Sequence, residues 1–180
     1  AVPGGPIAAA VARRCGLPLV LSLHGSDVYV IERSGPYAAV ARYAFGRAAC
    51  VTACSQDLAD RAARCGLDPA KAVVLPYGVD AQRYGGDDHA AQGAALCAGW
   101  GIPAEAPLVG ALGRLVHKKG FDVLLAAMAA LRASHPRAWC VIGGEGDLAD
   151  PLQQQAERLG LAEQVRLVGN VGWLETPAFY

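Results

Sequence analysis

The sequence predicts an α/β fold with parallel sheets, arranged as two Rossmann-like domains. Short, largely apolar stretches alternate with longer helical patterns along most of the 180 residues. A continuously apolar strand is buried on both faces, as in a parallel sheet that helices cover on both sides. The composition agrees with a folded chain, because 53% of the residues are hydrophobic and 18% are charged.

The first half of the chain contains three predicted strands and three predicted helices. The first helix is rich in alanine and ends at Gly16, since glycine is the usual residue just past a helix C-terminus. Ser55 is a good N-cap for the third helix, with Asp57 in its first turn and Gly66 as its stop. The strands are predicted at Leu19–Leu23, Cys50–Ala53 and Val73–Leu75, and the first two helices at Ile7–Cys15 and Tyr37–Phe45.

The second half repeats the alternation. Its first helix places its large apolar side chains on one face, which indicates packing against a sheet. The predicted strands are Leu108–Leu112, Trp139–Ile142 and Val165–Val168, and the predicted helices are Phe121–Arg132 and Leu148–Leu159. The helix–strand rhythm breaks over residues 84–106, which contain several glycines, a weak helical pattern rich in Ala and Gly, and a proline. We therefore predict one domain over residues 1–83, a connection over 84–106 and a second domain over 107–180.

Charge and patterning exclude several classes of protein. Sixteen basic residues balance sixteen acidic ones, so we expect no general attraction to nucleic acid. The apolar runs are much shorter than the roughly 18–20 residues of a membrane-spanning helix, and no secretion signal opens the chain. The six cysteines show no zinc-ligand spacing and are best explained as small buried thiols. These features favour a cytoplasmic protein without a metal site.

The loop after the strand Leu108–Leu112 carries the most informative charges. Arg114 lies just after the end of the strand, and Lys119 lies just before the helix that begins near Phe121. Only three of the sixteen basic residues are lysines, and two of them are adjacent in this loop. A helix N-terminus favours anions, and Arg and Lys both bind phosphate oxygens. The charge pattern therefore favours a diphosphate-binding site slightly over the alternative interpretation, a solvated basic loop.

Two loops of the first half also follow strands, at the edge where ligands bind in open α/β sheets. His24 can contact a ligand hydroxyl or phosphate there, with Asp27 orienting a neighbour. A turn in which Ser26 or Asp27 caps the next helix is the more common explanation. Gly78 follows the third strand and allows close backbone approach to a ligand, although a simple Pro/Gly turn explains it equally well.

The remaining strand exits of the second half are rich in glycine. The loop Gly143–Asp147 resembles a phosphate-binding loop but matches neither of the two common glycine motifs, so a tight strand-to-helix turn is the better interpretation. The segment Gly169–Val171 closes the last strand and can face a nucleotide base in the same way.

Taken in order, these pieces resemble the family 4 retaining glycosyltransferases, which have two facing Rossmann-like domains, the GT-B fold. No single piece is specific, but the ordered set is. The matching segments are residues 18–27, 51–55, 74–80, 113–115, 119–127, 143–146 and 165–171.

The resemblance implies a transferase whose donor is a nucleoside-diphosphate sugar. The sugar would move to an acceptor with retention of anomeric configuration and without a bound metal. Three residues match catalytic positions: Arg114 and Lys119 match the pair that grips the diphosphate, and His24 matches a histidine that reaches the donor sugar. The residues implied to bind the donor beside that pair are Gly78, Gly144, Gly169, Asn170 and Val171. The acceptor, a sugar or a lipid-linked molecule, is not indicated, and a lipid acceptor would bring the enzyme to the membrane surface.

The chain departs from the family pattern in two respects. Tyr77 stands where the family usually has Asn, and we assign it no role. The family's two donor-binding glutamates, separated by seven residues, have no counterpart here, and Glu175 is not in that motif. We therefore expect the chain to lack both ends of such an enzyme, with both domains incomplete and no activity in isolation. Two alternatives remain: a nucleotide-sugar epimerase of the same fold and a non-catalytic nucleotide-binding module.

Overall fold

The computed structural model describes residues 4–85 and 89–180. The chain divides into two compact units, one ending at Val79 and the other beginning at Asp80. Each unit contains its own three-stranded parallel sheet. The predicted α/β class with two parallel sheets is therefore confirmed.

The first unit has the strand order β1-β2-β3. Its strands are β1 Val20–Leu23, β2 Cys50–Ala53 and β3 Ala72–Val74, and its helices are α1 Gly4–Cys15, α2 Ser26–Arg33, α3 Gly35–Arg47 and α4 Gln56–Arg64. Leu23 pairs with Ala53, and Ala53 pairs with Val74. Because all three strands are parallel and in this register, the segments that leave them emerge at one edge of the sheet.

The second unit has the order β4-β5-β6. Its strands are β4 Leu108–Leu112, β5 Trp139–Gly143 and β6 Val165–Gly169, and its helices are α5 Ala81–Tyr84, α6 His89–Gly99, α7 Phe121–Leu131, α8 Ala149–Arg158 and α9 Thr176–Phe179. A short 3-10 helix, His117–Lys119, precedes α7. Leu112 pairs with Gly143, which pairs with Gly169, so these strands also end together.

Each sheet packs into a separate apolar core. In the first unit Leu23 and Val51 of the sheet pack with Phe45 of α3. In the second unit Ile142 of β5 packs with Leu125 of α7, and both side chains are fully buried. Among the described strands, β5 is buried along nearly its whole length, whereas β1 alternates exposed and buried residues and β3 and β4 contain no buried residue. The expectation that every strand is buried on both faces is therefore wrong, because a largely apolar sequence does not show which face of a strand is covered.

The segment predicted as a connection, residues 84–106, includes α6, which packs against α9 within the second unit. The Trp100 ring lies edge-on to Phe179, with the ring centroids 6.0 Å apart. These contacts join α6 to the second unit, which begins at Asp80. The boundaries at 83/84 and 106/107 stay predictions. Part of that segment, residues 86–88, lies outside the described residues.

All six cysteines are free thiols. Cys65 and Cys140 are buried and Cys15 is exposed, so the expectation of buried thiols holds for only some of them. Burial raises the pKa of the Cys140 thiol to about 11. No helix in residues 4–85 or 89–180 combines the length and apolar character needed to cross a membrane.

Candidate functional site

Three loops meet where β4, β5 and β6 end. The Gly113 N–H donates to the Gly143 carbonyl over 3.0 Å. The Leu115 N–H donates to the Glu145 carbonyl over 2.8 Å, and the Gly144 N–H donates to the Gly169 carbonyl over 2.6 Å. These backbone hydrogen bonds join the loops into one continuous surface.

Glycine is required for this close approach. A Cβ atom on Gly144 would lie 1.9 Å from the Gly113 carbonyl oxygen, and Gly144 has a φ of 134°. A Cβ on Gly146 would lie 2.5 Å from the Leu115 carbonyl oxygen. Both distances are far inside van der Waals contact, so the Gly143–Gly146 segment owes its composition to packing against the loop that carries Arg114.

An open pocket of about 640 Å³ lies on this surface. It brings together four of the predicted site residues, from all three loops: Arg114, Gly144, Asn170 and Val171. Gly169 is next to Asn170 in the chain and is bonded to Gly144 through its carbonyl. Leu112, Gly113 and Glu145 also line the pocket. The sequence analysis gave Leu112 no role, and it named Gly113 and Glu145 only as members of matching segments. Their positions depend on the pairing of β4 with β5.

Arg114 lines the pocket, whereas Lys119 is not among the residues that line it. A Cβ on Gly113 would meet Cε of Lys119 at 3.6 Å, so the lysine stem runs beside a residue that lines the pocket. Both side chains are exposed. Neither has an ion pair or side-chain hydrogen bond with any residue in the described part of the chain. One uncompensated positive charge in the lining and a second carried by a stem beside it are suited to a phosphate-bearing ligand.

The loop after β1 is fixed through its backbone. Gly25 has a φ of 117°, which favours glycine, and is the N-cap of α2. Asp27 Oδ1 accepts hydrogen bonds from the His24 N–H at 3.3 Å and the Gly25 N–H at 3.0 Å. The carboxylate therefore orders the loop that presents His24. The expected cap by Ser26 or Asp27 is not formed, because Ser26 is already the first residue of α2 and the N-cap makes no side-chain bond.

The His24 side chain contacts Tyr77, which follows β3. Its Nδ1 is hydrogen-bonded to the Tyr77 hydroxyl. The two rings are parallel within 6°, with centroids 5.8 Å apart. The sequence analysis gave Tyr77 no role, since the 53 residues between the partners leave no local signal. Gly78 lies next to Tyr77 with nothing within 4 Å of an added Cβ, so its own surroundings do not require glycine.

Two family models match the chain in consecutive parts. "Glycosyltransferase Family 4" matches residues 1–83, and "Glycosyl transferases group 1" matches residues 97–180. The matches cover both units and leave out only residues 84–96.

Curated relatives are similar over nearly the whole chain. A GDP-mannose-dependent α-(1-6)-phosphatidylinositol monomannoside mannosyltransferase of Mycolicibacterium smegmatis is 34% identical, over 94% of this chain and 44% of its own length. A 2-deoxystreptamine N-acetyl-D-glucosaminyltransferase of Streptomyces fradiae is 31% identical, over 94% of this chain and 41% of its own. The chain thus spans less than half the length of these relatives.

Solved structures show the same architecture. The Anabaena protein HepE, crystallised in complex with UDP and glucose, superimposes with a TM-score of 0.82 at 25% identity, covering 97% of this chain and 47% of HepE. Its complex with UDP-glucose gives a TM-score of 0.78 at 24% identity. Two family models in sequence order, curated relatives and the shared architecture together show that this chain belongs to family 4 of the glycosyltransferases, with the GT-B fold.

Proposed function

We propose that the protein is a glycosyltransferase that moves a sugar from a nucleoside-diphosphate sugar to an acceptor, with retention of anomeric configuration. The observation that carries the proposal is the pocket at the ends of β4, β5 and β6, with Arg114 in its lining and Lys119 beside it. HepE, which has the same fold, was crystallised with UDP and with UDP-glucose. A nucleotide-sugar donor is consistent with the charged pocket and with the ligands of HepE.

The donor's diphosphate would lie against Arg114 and Lys119. Cleavage of the bond to the sugar leaves extra negative charge on the departing diphosphate. Positive groups held at that position stabilise the transition state more than the ground state, which is the condition for catalysis. The nucleoside would then contact Gly144, Gly169, Asn170 and Val171, since their loops line or border the same pocket.

His24 would act on the donor sugar, as the family resemblance implies. Gly78 would let the donor approach the backbone closely, which the open space above it permits. The relatives described above are transferases, so the alternative of an epimerase is not favoured. The acceptor, any association with a membrane surface and a cytoplasmic location stay predictions.

The diphosphate assignment is tested by calorimetric titration of the full-length protein with UDP, GDP and ADP. Replacing Arg114 or Lys119 by Ala should weaken binding of the preferred diphosphate by about 1.5–3 kcal/mol, the size of a charge-assisted contact. Lys118→Ala is the matched control, because it removes a positive charge one residue away from Lys119. It should weaken diphosphate binding less than Arg114→Ala or Lys119→Ala. Unchanged affinity in both Arg114→Ala and Lys119→Ala would remove the assignment.

A further inference from the structure

The contact between His24 and Tyr77 has a direction that the chemistry of the two groups determines. We propose that Tyr77 is a positioning residue for His24: its hydroxyl donates to Nδ1 and holds the imidazole in the tautomer that carries its proton on Nε2. Tyr77 then determines which His24 nitrogen acts as a donor. This role belongs to a residue that departs from the usual family pattern.

The direction of the hydrogen bond follows from what each group can offer. A neutral imidazole has one nitrogen that donates and one that accepts, and a protonated phenol can both donate its O–H and accept at its oxygen. Desolvation of the Tyr77 hydroxyl, and after it the neighbouring Cys54 side chain, raise the pKa of Tyr77, so the hydroxyl keeps its proton. A neutral imidazole nitrogen is a much stronger base than a phenol oxygen, and a phenol O–H is a more acidic donor than an imidazole N–H. The pairing in which the hydroxyl donates and Nδ1 accepts is therefore the favoured one, and it leaves the ring proton on Nε2.

Both partners are held by backbone on the same sheet edge. Asp27 accepts from the N–H groups of His24 and Gly25, which fixes the loop that carries the imidazole. The Leu75 N–H donates to the Ala53 carbonyl over 2.8 Å, which anchors the segment leading to Tyr77 against β2. Since the carboxylate orders the backbone, the contact that orients the His24 ring is the one with Tyr77.

The consequence for the reaction rests on the proposed function. Within the described part of the chain, Nε2 of His24 has no hydrogen-bond partner. With its proton fixed on Nε2, the ring presents a donor to an oxygen acceptor, for which a hydroxyl oxygen of the donor sugar is suited. A ring free to exchange tautomers would present that donor only part of the time.

The tautomer is measured by long-range ¹H–¹⁵N spectra of the full-length protein labelled with ¹⁵N-histidine. The spectra are recorded at about pH 8.5, about two units above the ordinary imidazole pKa. His24→Ala assigns the resonances of His24. We expect His24 Nε2 to be protonated and Nδ1 to be unprotonated and hydrogen-bonded. In Tyr77→Phe the Nδ1 resonance should move toward the position of an exposed neutral imidazole. A proton on Nδ1 in the parent protein, or an unmoved Nδ1 resonance in Tyr77→Phe, would overturn the proposal.

The variant Tyr77→Phe has a matched control, Tyr37→Phe. Tyr77 is 68% exposed, so losing its hydroxyl removes no core packing and thermal unfolding should be nearly unchanged. Tyr37, on α3 of the same unit, is 48% exposed and has no side-chain hydrogen bond to another described residue. Tyr37→Phe should leave every histidine resonance in place, whereas a His24 shift in that variant equal to the shift in Tyr77→Phe would count against a specific contact.

Enzyme kinetics test whether the orientation of His24 by Tyr77 affects the reaction. Tyr77→Phe should lower kcat about two- to tenfold, the size expected for one neutral hydrogen bond, with little change in the KM for the donor. The double variant Tyr77→Phe/His24→Ala should be no slower than His24→Ala, because Tyr77 acts through His24. Additive losses would contradict positioning through His24. Absence of sugar transfer by the parent protein would contradict the proposed function. The NMR spectra would still determine the tautomer of His24.

Discussion

Gly144 shows how a single residue sets the shape of the candidate site. Its resemblance to a phosphate-binding loop was visible in the sequence, but its steric role depends on Gly113, which belongs to another loop. A Cβ would lie 1.9 Å from the Gly113 carbonyl oxygen. The glycine therefore keeps the loop of Arg114 in contact with the loop of Glu145.

Gly144→Ala should destabilise the protein and weaken diphosphate binding together. The substitution forces a side chain into a φ of 134° and against backbone atoms that cannot move independently. We expect a loss of at least about 2 kcal/mol in the free energy of unfolding, measured by urea titration. Gly78→Ala is the control, because its Cβ meets nothing within 4 Å and unfolding should change by less than about 0.5 kcal/mol. Equal losses in the two variants would show that the close approach does not matter.

The strands were predictable because each is a short, largely apolar segment. All six predicted strands are present, within two residues of the predicted ends. The helix α2 was not predicted, since Val28, Val30 and Ile31 are β-branched residues with low helix propensity. Its stability comes from burying Val28 and Ile31 one turn apart, which is a tertiary effect. The four-residue helices α5 and α9 are too short to leave a periodic pattern.

The N-terminus of α4 was predicted correctly down to its cap. Ser55 Oγ accepts from the Leu58 N–H at 3.2 Å. Ser55→Ala should lower the free energy of unfolding by about 1 kcal/mol. Ser34 occupies the same N-cap position before α3 but makes no side-chain bond, so Ser34→Ala should cost less than about 0.5 kcal/mol. Urea unfolding of both variants measures the difference, and a larger loss for Ser34→Ala would contradict the assignment of the caps.

At the scale of the whole molecule, the sequence indicated which residues meet at the second-unit pocket better than it indicated how α6 packs. Arg114, Gly144 and Asn170 were recognisable because each follows a strand, and strands in register deliver their exits to one edge. The packing of α6 against α9 in the second unit was not recognisable, because the two helices are far apart in the sequence. Strand exits are local in sequence, whereas the assignment of a helix to a unit depends on distant contacts.

The same pocket predicts how the whole enzyme responds to metal removal. In the proposed reaction Arg114 and Lys119 would supply the positive charge where the departing diphosphate gains negative charge, the role that a divalent cation fills in other enzymes of nucleotide chemistry. Transfer by the full-length protein should therefore keep its rate, within about twofold, after dialysis against EDTA, and added Mg²⁺ should not raise it. The measurement is the initial rate of sugar transfer at saturating donor. A loss of more than about tenfold that Mg²⁺ restores would mean that the two side chains do not supply the charge the reaction needs.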